Sequence, residues 1–245
     1  MLGIIGGSGL TELANLDVAR REVVRSAWGE ASGPVSVGRI RNQDIAFLPR
    51  HGHGHTIPPH RVNYRANIDA LRSVGVTWIV SVASVGGIGG AMAPGVLVVP
   101  DQIIDYTWGR ESSYQNGTQE KVIHIDFTHP YDSGVRSAIL TAAAAQGEPV
   151  IDGAVYATTQ GPRLETAAEI IRLERDGADI VGMTGMPEAA LARELEIPYA
   201  ALCVVANWAA GKGNSAHAVN FDHIEAVLQQ AMSRARHIIE QVCSA

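Results

Sequence analysis

Cysteine is scarce in this chain: 245 residues hold two, Cys203 inside an apolar run and Cys243 at the tail. Two such thiols make no disulfide framework and read as one core and one surface group. Positive charge is short as well. At a net charge of −6 the surface lacks the basic excess that draws in a phosphate backbone, so no nucleic-acid partner is expected. A small anion needs only a few local donors and stays admissible. No apolar stretch has the roughly 20 residues of a membrane span. The chain opens straight into the apolar run 2–5 with no basic leader, so a cytoplasmic protein without a membrane partner is expected. Two nucleotide signatures are missing too. The turn Gly6-Gly7-Ser8-Gly9 breaks the dinucleotide spacing G-x-G-x-x-G at Glu12, and no G-K-[ST] ending follows it.

What is present is the composition of a packed globule, with 46% apolar and 18% charged residues. The length suits one large domain, taken as 1–245. Short apolar runs at 2–5, 77–83, 96–99, 154–158, 179–183 and 199–206 read as buried strands, and 35–48 as two strands around Arg41-Asn42. Tyr64, Ile68, Leu71 and Val74 fall at helical spacing before a stop at Gly75. Further helices are expected over 134–146, over 165–175 with Ala167, Ile170 and Ile171 on one side, and behind Pro187. A last one is expected from Asp222, with Glu225 completing a capping box and a core stripe from Ile224 to Val242. The polar segment 105–128 reads as an extended loop. Strands alternate with helices after residue 60, which favours an α/β fold, a mixed sheet covered by helices.

Several small or polar groups sit where strands are expected to end. A glycine turn such as 6–9 can aim backbone N–H groups and the Ser8 hydroxyl at an anion, or can simply be a tight turn. Arg50-His51-Gly52-His53-Gly54-His55 admits three readings. Alternating histidines suit a metal if they lie on one strand face, Arg50 beside His51 suits an anion, and the glycines suit a plain loop. Ser84, Thr184 and Asn207 each follow an expected strand, where α/β sheets place ligands; each alone is also an ordinary strand-end cap. Glu165 sits near an expected helix start, where the dipole favours a carboxylate.

Together these segments resemble the trimeric-type nucleoside phosphorylases, the purine nucleoside and methylthioadenosine phosphorylases. The resemblance covers almost the whole chain. It is carried by residues 3–10, by Arg50-His51-Gly52 through His55-Thr56, by 62–68, by Gly161-Pro162-Arg163, and by Met183-Thr184 with Pro187-Glu188. It implies a pentosyl transfer to inorganic phosphate in purine salvage, on a nucleoside phosphorylase-like fold. Phosphate is then a co-substrate, with no cofactor and no metal. It implies phosphate contacts from Ser8, Arg50, His51, the Ser84 backbone and Thr184, with Met183 against the ribose, Asn207 at the purine N7 edge and Leu164 near the base. Asn207 and Arg50 would carry the catalysis. A homotrimer is implied, with a neighbour closing the 5′ end of each site; His124 and His129 are the candidates for that closure.

Departures within the family sharpen the expectation. Methylthioadenosine phosphorylases have aspartates where this chain has Asn207 and Ala209, and lack an acid at Glu165, whereas 6-oxopurine enzymes have the Asn and the Glu. A Glu165 carboxylate can accept the N1–H of hypoxanthine but meets the N1 of adenine acceptor to acceptor, a mismatch that can cost about four to five orders of magnitude. Phe221 stands where 6-oxopurine enzymes place a histidine for the 5′-hydroxyl, which favours an apolar 5′ group. The expected substrate is therefore S-methyl-5′-thioinosine, cleaved to hypoxanthine and 5-methylthioribose 1-phosphate. Methylthioadenosine, inosine or guanosine are the alternatives within the family. A metal-dependent nucleoside deaminase and a non-catalytic nucleoside binder are those outside it.

Overall fold

The computed structural model describes residues 1–118 and 121–244, without the side chains of residues 222 and 223. The strands are β1 (Leu2–Gly6), β2 (Asp17–Glu22), β3 (Val35–Ile40), β4 (Gln43–Pro49), β5 (Trp78–Gly87), β6 (Leu97–Val99), β7 (Gln102–Asp105), β8 (Val150–Asp152), β9 (Val155–Thr158), β10 (Ile180–Gly182) and β11 (Tyr199–Trp208). The helices are α1 (Tyr64–Ser73), α2 (Ser133–Ala145), α3 (Ala167–Arg175), α4 (Glu188–Glu194) and α5 (Phe221–Val242). Among the described residues these strands form one mixed sheet, in the order β2-β3-β4-β1-β5-β10-β9-β7, with a branch from β5 through β11 and β6 to β8. No helix among the described residues is long and apolar enough to cross a membrane.

The central strands β1, β5 and β11 run parallel and read as continuous apolar runs because both their faces are covered. Side chains alternate across a strand, and the core divides accordingly. Ile5, Ile79, Ala201, Cys203 and Val205 pack on one face with residues of α1 and α4. Leu2, Ile4, Val80, Val82, Leu202 and Val204 pack on the other with α2 and α5. Buried Ala231, Ala235, Ile238 and Val242 form the inner stripe of α5. Cys243 belongs to that stripe and is buried, not the surface thiol expected of a tail.

Local signals explain most helix ends. Asn63 caps α1 by accepting from the Ala66 N–H, and Asp132 caps α2 by accepting from Val135. α3 starts later than expected. Thr166 and Glu169 form a reciprocal capping box, so Glu165 lies outside the helix. The buried residues of α3 are Ile170 and Leu173, while Ile171 faces solvent. α5 starts at Phe221, one residue early; the capping role expected of Asp222 lies outside the described residues. Strand β2 was unmarked in the sequence because its residues are almost all exposed. It is held by ladder pairing to β3.

One correction and one feature that the sequence left open bear on the site. Ser84 and Asn207 do not follow their strands but lie within β5 and β11, which run on to Gly87 and Trp208. The strand before Thr184, β10, runs parallel to β9 but antiparallel to β5. It pairs with the end of β5 through Ile180↔Gly87 and Val181↔Gly86. Thr184 therefore arrives from the opposite direction to Ser84 and Asn207.

Candidate active site

The walls of a cavity of about 690 Å³ are formed where these segments meet. Its lining includes the ten residues expected to contact phosphate or nucleoside: Ser8, Arg50, His51, Ser84, Thr184, Leu164, Glu165, Met183, Asn207 and Phe221. They come from the turn after β1, the turn after β4, the interiors of β5 and β11, the exits of β9 and β10, and the start of α5.

At one end, Arg50 is 1% exposed and pairs with the fully buried Glu188 of α4. Its Nε donates to Glu188 Oε2 at 2.6 Å and its Nη2 to Glu188 Oε1 at 2.8 Å. Nη2 also donates to Ser81 Oγ, and Nη1 to the Val82 carbonyl at 3.2 Å. A guanidinium has five N–H groups, so these four bonds leave one on Nη1. Burial opposes the charge on Arg50, but the attraction and hydrogen bonds of Glu188 overcome it and raise the pKa, so Arg50 stays a cation. Ser81 and Tyr199 both donate to Glu188 Oε1 at 2.8 Å. Glu188 falls in the Pro187-Glu188 segment that carries the family resemblance, which implies no role for it. The only sequence signal for it was an acid opening an apolar helix. Gly7 allows the close approach: a Cβ there would sit 2.6 Å from the Val82 carbonyl oxygen and 2.9 Å from Arg50 Nη1.

Residues 50–55 form turns, not a strand, so the three histidines do not share a strand face. His51 and His55 rings lie 4.5 Å apart, and His55 Nε2 is 3.4 Å from Ser8 Oγ. His53 instead lies toward Gly33. Among the described residues no group of three or more His, Cys, Asp or Glu is placed to hold a metal. His51 Nδ1 lies 2.8 Å from the Ile57 carbonyl, which only accepts, so Nδ1 carries the proton. Burial, and then the charge of Arg50, lower the His51 pKa to about 4. The ring is neutral at pH 7, with a lone pair on Nε2.

That depressed pKa makes stability pH-dependent. The unfolded histidine takes up its proton near pH 6.5 and the folded one near 4, so stability present above pH 6.5 is lost as pH falls toward 4. In phosphate-free urea titrations, the wild type should lose about 2 to 3 kcal/mol more than His51→Gln between pH 7 and pH 4.5. Equal losses in both proteins would contradict a buried neutral His51.

At the other end, Glu165 and Asn207 face the same space. Burial pushes the Glu165 carboxyl above its ordinary pKa, and a hydrogen bond from Thr159 Oγ1 to Oε1 at 2.5 Å pulls it back. Asn207 sits at a bulge: the register shifts between Val205 and Asn207, which pairs with Gly86. Such an extra residue re-aims the side chain that follows it. Asn207 Nδ2 donates to the Trp208 carbonyl at 2.6 Å, which fixes the amide orientation and leaves one N–H and Oδ1. Phe221 lines the mouth beside Val219 and Ile224 but is 68% exposed. His124 and His129 are exposed and do not line the cavity of their own chain.

The profile of the phosphorylase superfamily matches residues 1–244, and the chain belongs to that family. It is 52% identical over 214 residues to a "Probable S-methyl-5′-thioinosine phosphorylase" of Xanthomonas campestris pv. campestris, covering 87% of this chain and 86% of the relative. It is 45% identical over 215 residues to a 6-oxopurine nucleoside phosphorylase of Pyrococcus furiosus, covering 86% of this chain and 80% of that one. The fold is that of the methylthioadenosine phosphorylase of Schistosoma mansoni in complex with adenine, with TM-score 0.93, 29% identity, and 99% of this chain and 90% of that chain covered. The nucleoside phosphorylase resemblance and the mixed-sheet α/β fold are thus borne out, and the chain is a pentosyl-transferring enzyme.

Proposed function

We propose that this enzyme phosphorolyses S-methyl-5′-thioinosine to hypoxanthine and 5-methylthioribose 1-phosphate. The observation that carries the substrate choice is the pairing of Glu165 and Asn207 at one end of a cavity whose mouth bears Val219, Phe221 and Ile224. A carboxylate oxygen not engaged by Thr159 accepts the N1–H of a 6-oxopurine, and the spare Asn207 N–H donates toward N7 and O6. The apolar mouth suits a methylthio group better than a hydroxyl. The relatives named for thioinosine and for 6-oxopurine nucleosides support the same assignment.

In the proposed mechanism, phosphate lies between Ser8, the free Arg50 N–H, His51, the Ser84 backbone and Thr184. With Nδ1–H turned to Ile57, the neutral His51 ring offers Nε2 as an acceptor for a phosphate P–OH. A phosphate oxygen bonds to C1′ as the C1′–N9 bond breaks. The sugar passes through an oxocarbenium-like state, and the bond electrons leave on the purine, which takes a proton from solvent. Holding the nucleophile in line supplies positional catalysis. Asn207 acts as charge develops at N7 and O6, so its bond strengthens in the transition state. Met183 lies along the ribose and Leu164 near the base. The reaction as drawn uses no metal or organic cofactor. The assembly is a cytoplasmic homotrimer in which a neighbour, through His124 or His129, covers the exposed Phe221 end.

The test is a panel of methylthioinosine, methylthioadenosine and inosine, with free base followed with and without phosphate. Phosphate-dependent hypoxanthine release from methylthioinosine is expected, at least about 10²-fold faster in kcat/KM than adenine release from methylthioadenosine. Preference for methylthioadenosine overturns the base assignment, and preference for inosine overturns the sugar assignment. Base release without phosphate overturns the reaction itself.

A further inference from the structure

Arg110 belongs to the long segment between β7 and α2, and no motif marks it. Its guanidinium nevertheless bonds Met183 of the cavity lining and backbone near other lining residues. Nη1 donates to the Met183 carbonyl at 2.8 Å and the Met186 carbonyl at 2.6 Å. Nη2 donates to the Thr159 carbonyl at 3.2 Å and the Gln160 carbonyl at 2.8 Å. Nε donates to Gln160 Oε1 at 3.1 Å. Nη1 also reaches the Tyr64 hydroxyl at 3.3 Å, and that hydroxyl donates to the carbonyl of Pro59, a cavity residue, at 3.0 Å. The group lies over the Tyr64 ring, 5.4 Å from its centre.

Among the described residues Arg110 has no carboxylate partner, unlike Arg50, whose charge is met by Glu188. All its acceptors are neutral, and four of them are main-chain carbonyls. A planar fork of donors is suited to several carbonyls at fixed angles, and an ammonium is not. The carbonyls it gathers belong to the two turns that carry the opposite ends of the site. The turn after β10 bears Met183 and Thr184, and the turn after β9 leads into Leu164 and Glu165. These turns come from neighbouring parallel strands, β9 and β10, but past the ladder one backbone hydrogen bond joins them, Thr159 N–H to the Gly182 carbonyl.

We propose that Arg110 is a positioning residue that locks the phosphate-side turn to the base-side turn, so that phosphate and purine meet C1′ in register. The kinetic part rests on the phosphorolysis proposed above; the mechanical part does not. Because Arg110 acts through backbone carbonyls, its loss lowers kcat more than it raises either KM, since misplacement by about 1 Å costs on the order of 10²-fold in rate.

The test uses the full chain with Arg110→Lys and Arg110→Ala, assayed with whichever nucleoside the wild type cleaves best, and a thermal melt for each. In both variants kcat should fall about 10²-fold, while both KM values change less than about 5-fold. About 50 mM guanidinium should restore at least about 10-fold of the activity in Arg110→Ala and not raise the wild type, by refilling the vacated fork of donors. Amide hydrogen exchange should quicken at 159–161 and 183–186 together in Arg110→Lys. A kcat within about 3-fold of wild type, full rescue by lysine, or a lowered melting temperature with unchanged kcat would overturn the inference. If the wild type cleaves no nucleoside, the functional assignment fails. The exchange measurement then still decides this one, with unchanged exchange at the two turns counting against it.

Discussion

Asn207→Ala is expected to lower kcat by roughly 10²–10³-fold, the usual loss when one donor to a developing anion is removed. The backbone around Asn207 is built for that purpose. A bulge between Val205 and Asn207 interrupts the β5–β11 ladder, and the Trp208 carbonyl holds one amide N–H at 2.6 Å. The other N–H is thereby pre-aimed and needs no reorganisation as charge moves onto the purine. In the ground state N7 and O6 are ordinary acceptors, so KM for the nucleoside should change far less than kcat. Steady-state kinetics at saturating phosphate check this. Near-normal turnover in the alanine variant would remove Asn207 from the mechanism. A rise in KM alone would reduce it to a binding contact.

Glu188→Gln is expected to cost about 3 to 5 kcal/mol of folding stability, because it leaves the Arg50 guanidinium buried without its counter-charge. For a chain of this size that is a fall in Tm on the order of 10 °C. The pair is bidentate and buried, with Glu188 fully buried and Arg50 nearly so. Ser81 and Tyr199 donate to the same carboxylate, and burial keeps the Tyr199 phenol protonated by pushing its pKa well up. Urea unfolding at pH 7 measures the loss. A change below about 1 kcal/mol would mean that Arg50 finds other compensation. The same variant should raise KM for phosphate, since Glu188 holds three of the four bonds that set the guanidinium plane, two directly and one through Ser81.

Much of this was legible in the residues. The ten candidates line one cavity, because each carries a local mark: a glycine turn, a polar residue at the edge of an apolar run, a cation beside a histidine. What escaped were groups that act through others. Glu188, Ser81 and Tyr199 are separated from Arg50 by 138, 31 and 149 positions, and no local pattern joins them. Thr159, which orients Glu165, and Arg110, which ties two turns, look like ordinary polar residues in loops. The direction of β10 escaped for a related reason, since a three-residue strand carries no sign of which way its partner runs.

By itself, then, the sequence determined the class of fold, through apolar runs buried on both faces and helices stopped by glycine and caps, and it determined which side chains have the chemistry for an anion and a purine. The tertiary structure alone decided how those side chains are aimed. It set the antiparallel pairing of β10 with β5 on the way to Thr184, the bulge that turns Asn207, and the buried acid that, with Ser81 and the Val82 carbonyl, leaves Arg50 a single free donor. Periodicity and capping are short-range effects, written within a few residues. Register, bulges and buried ion pairs depend on contacts between distant segments, and these exist only once the core has closed.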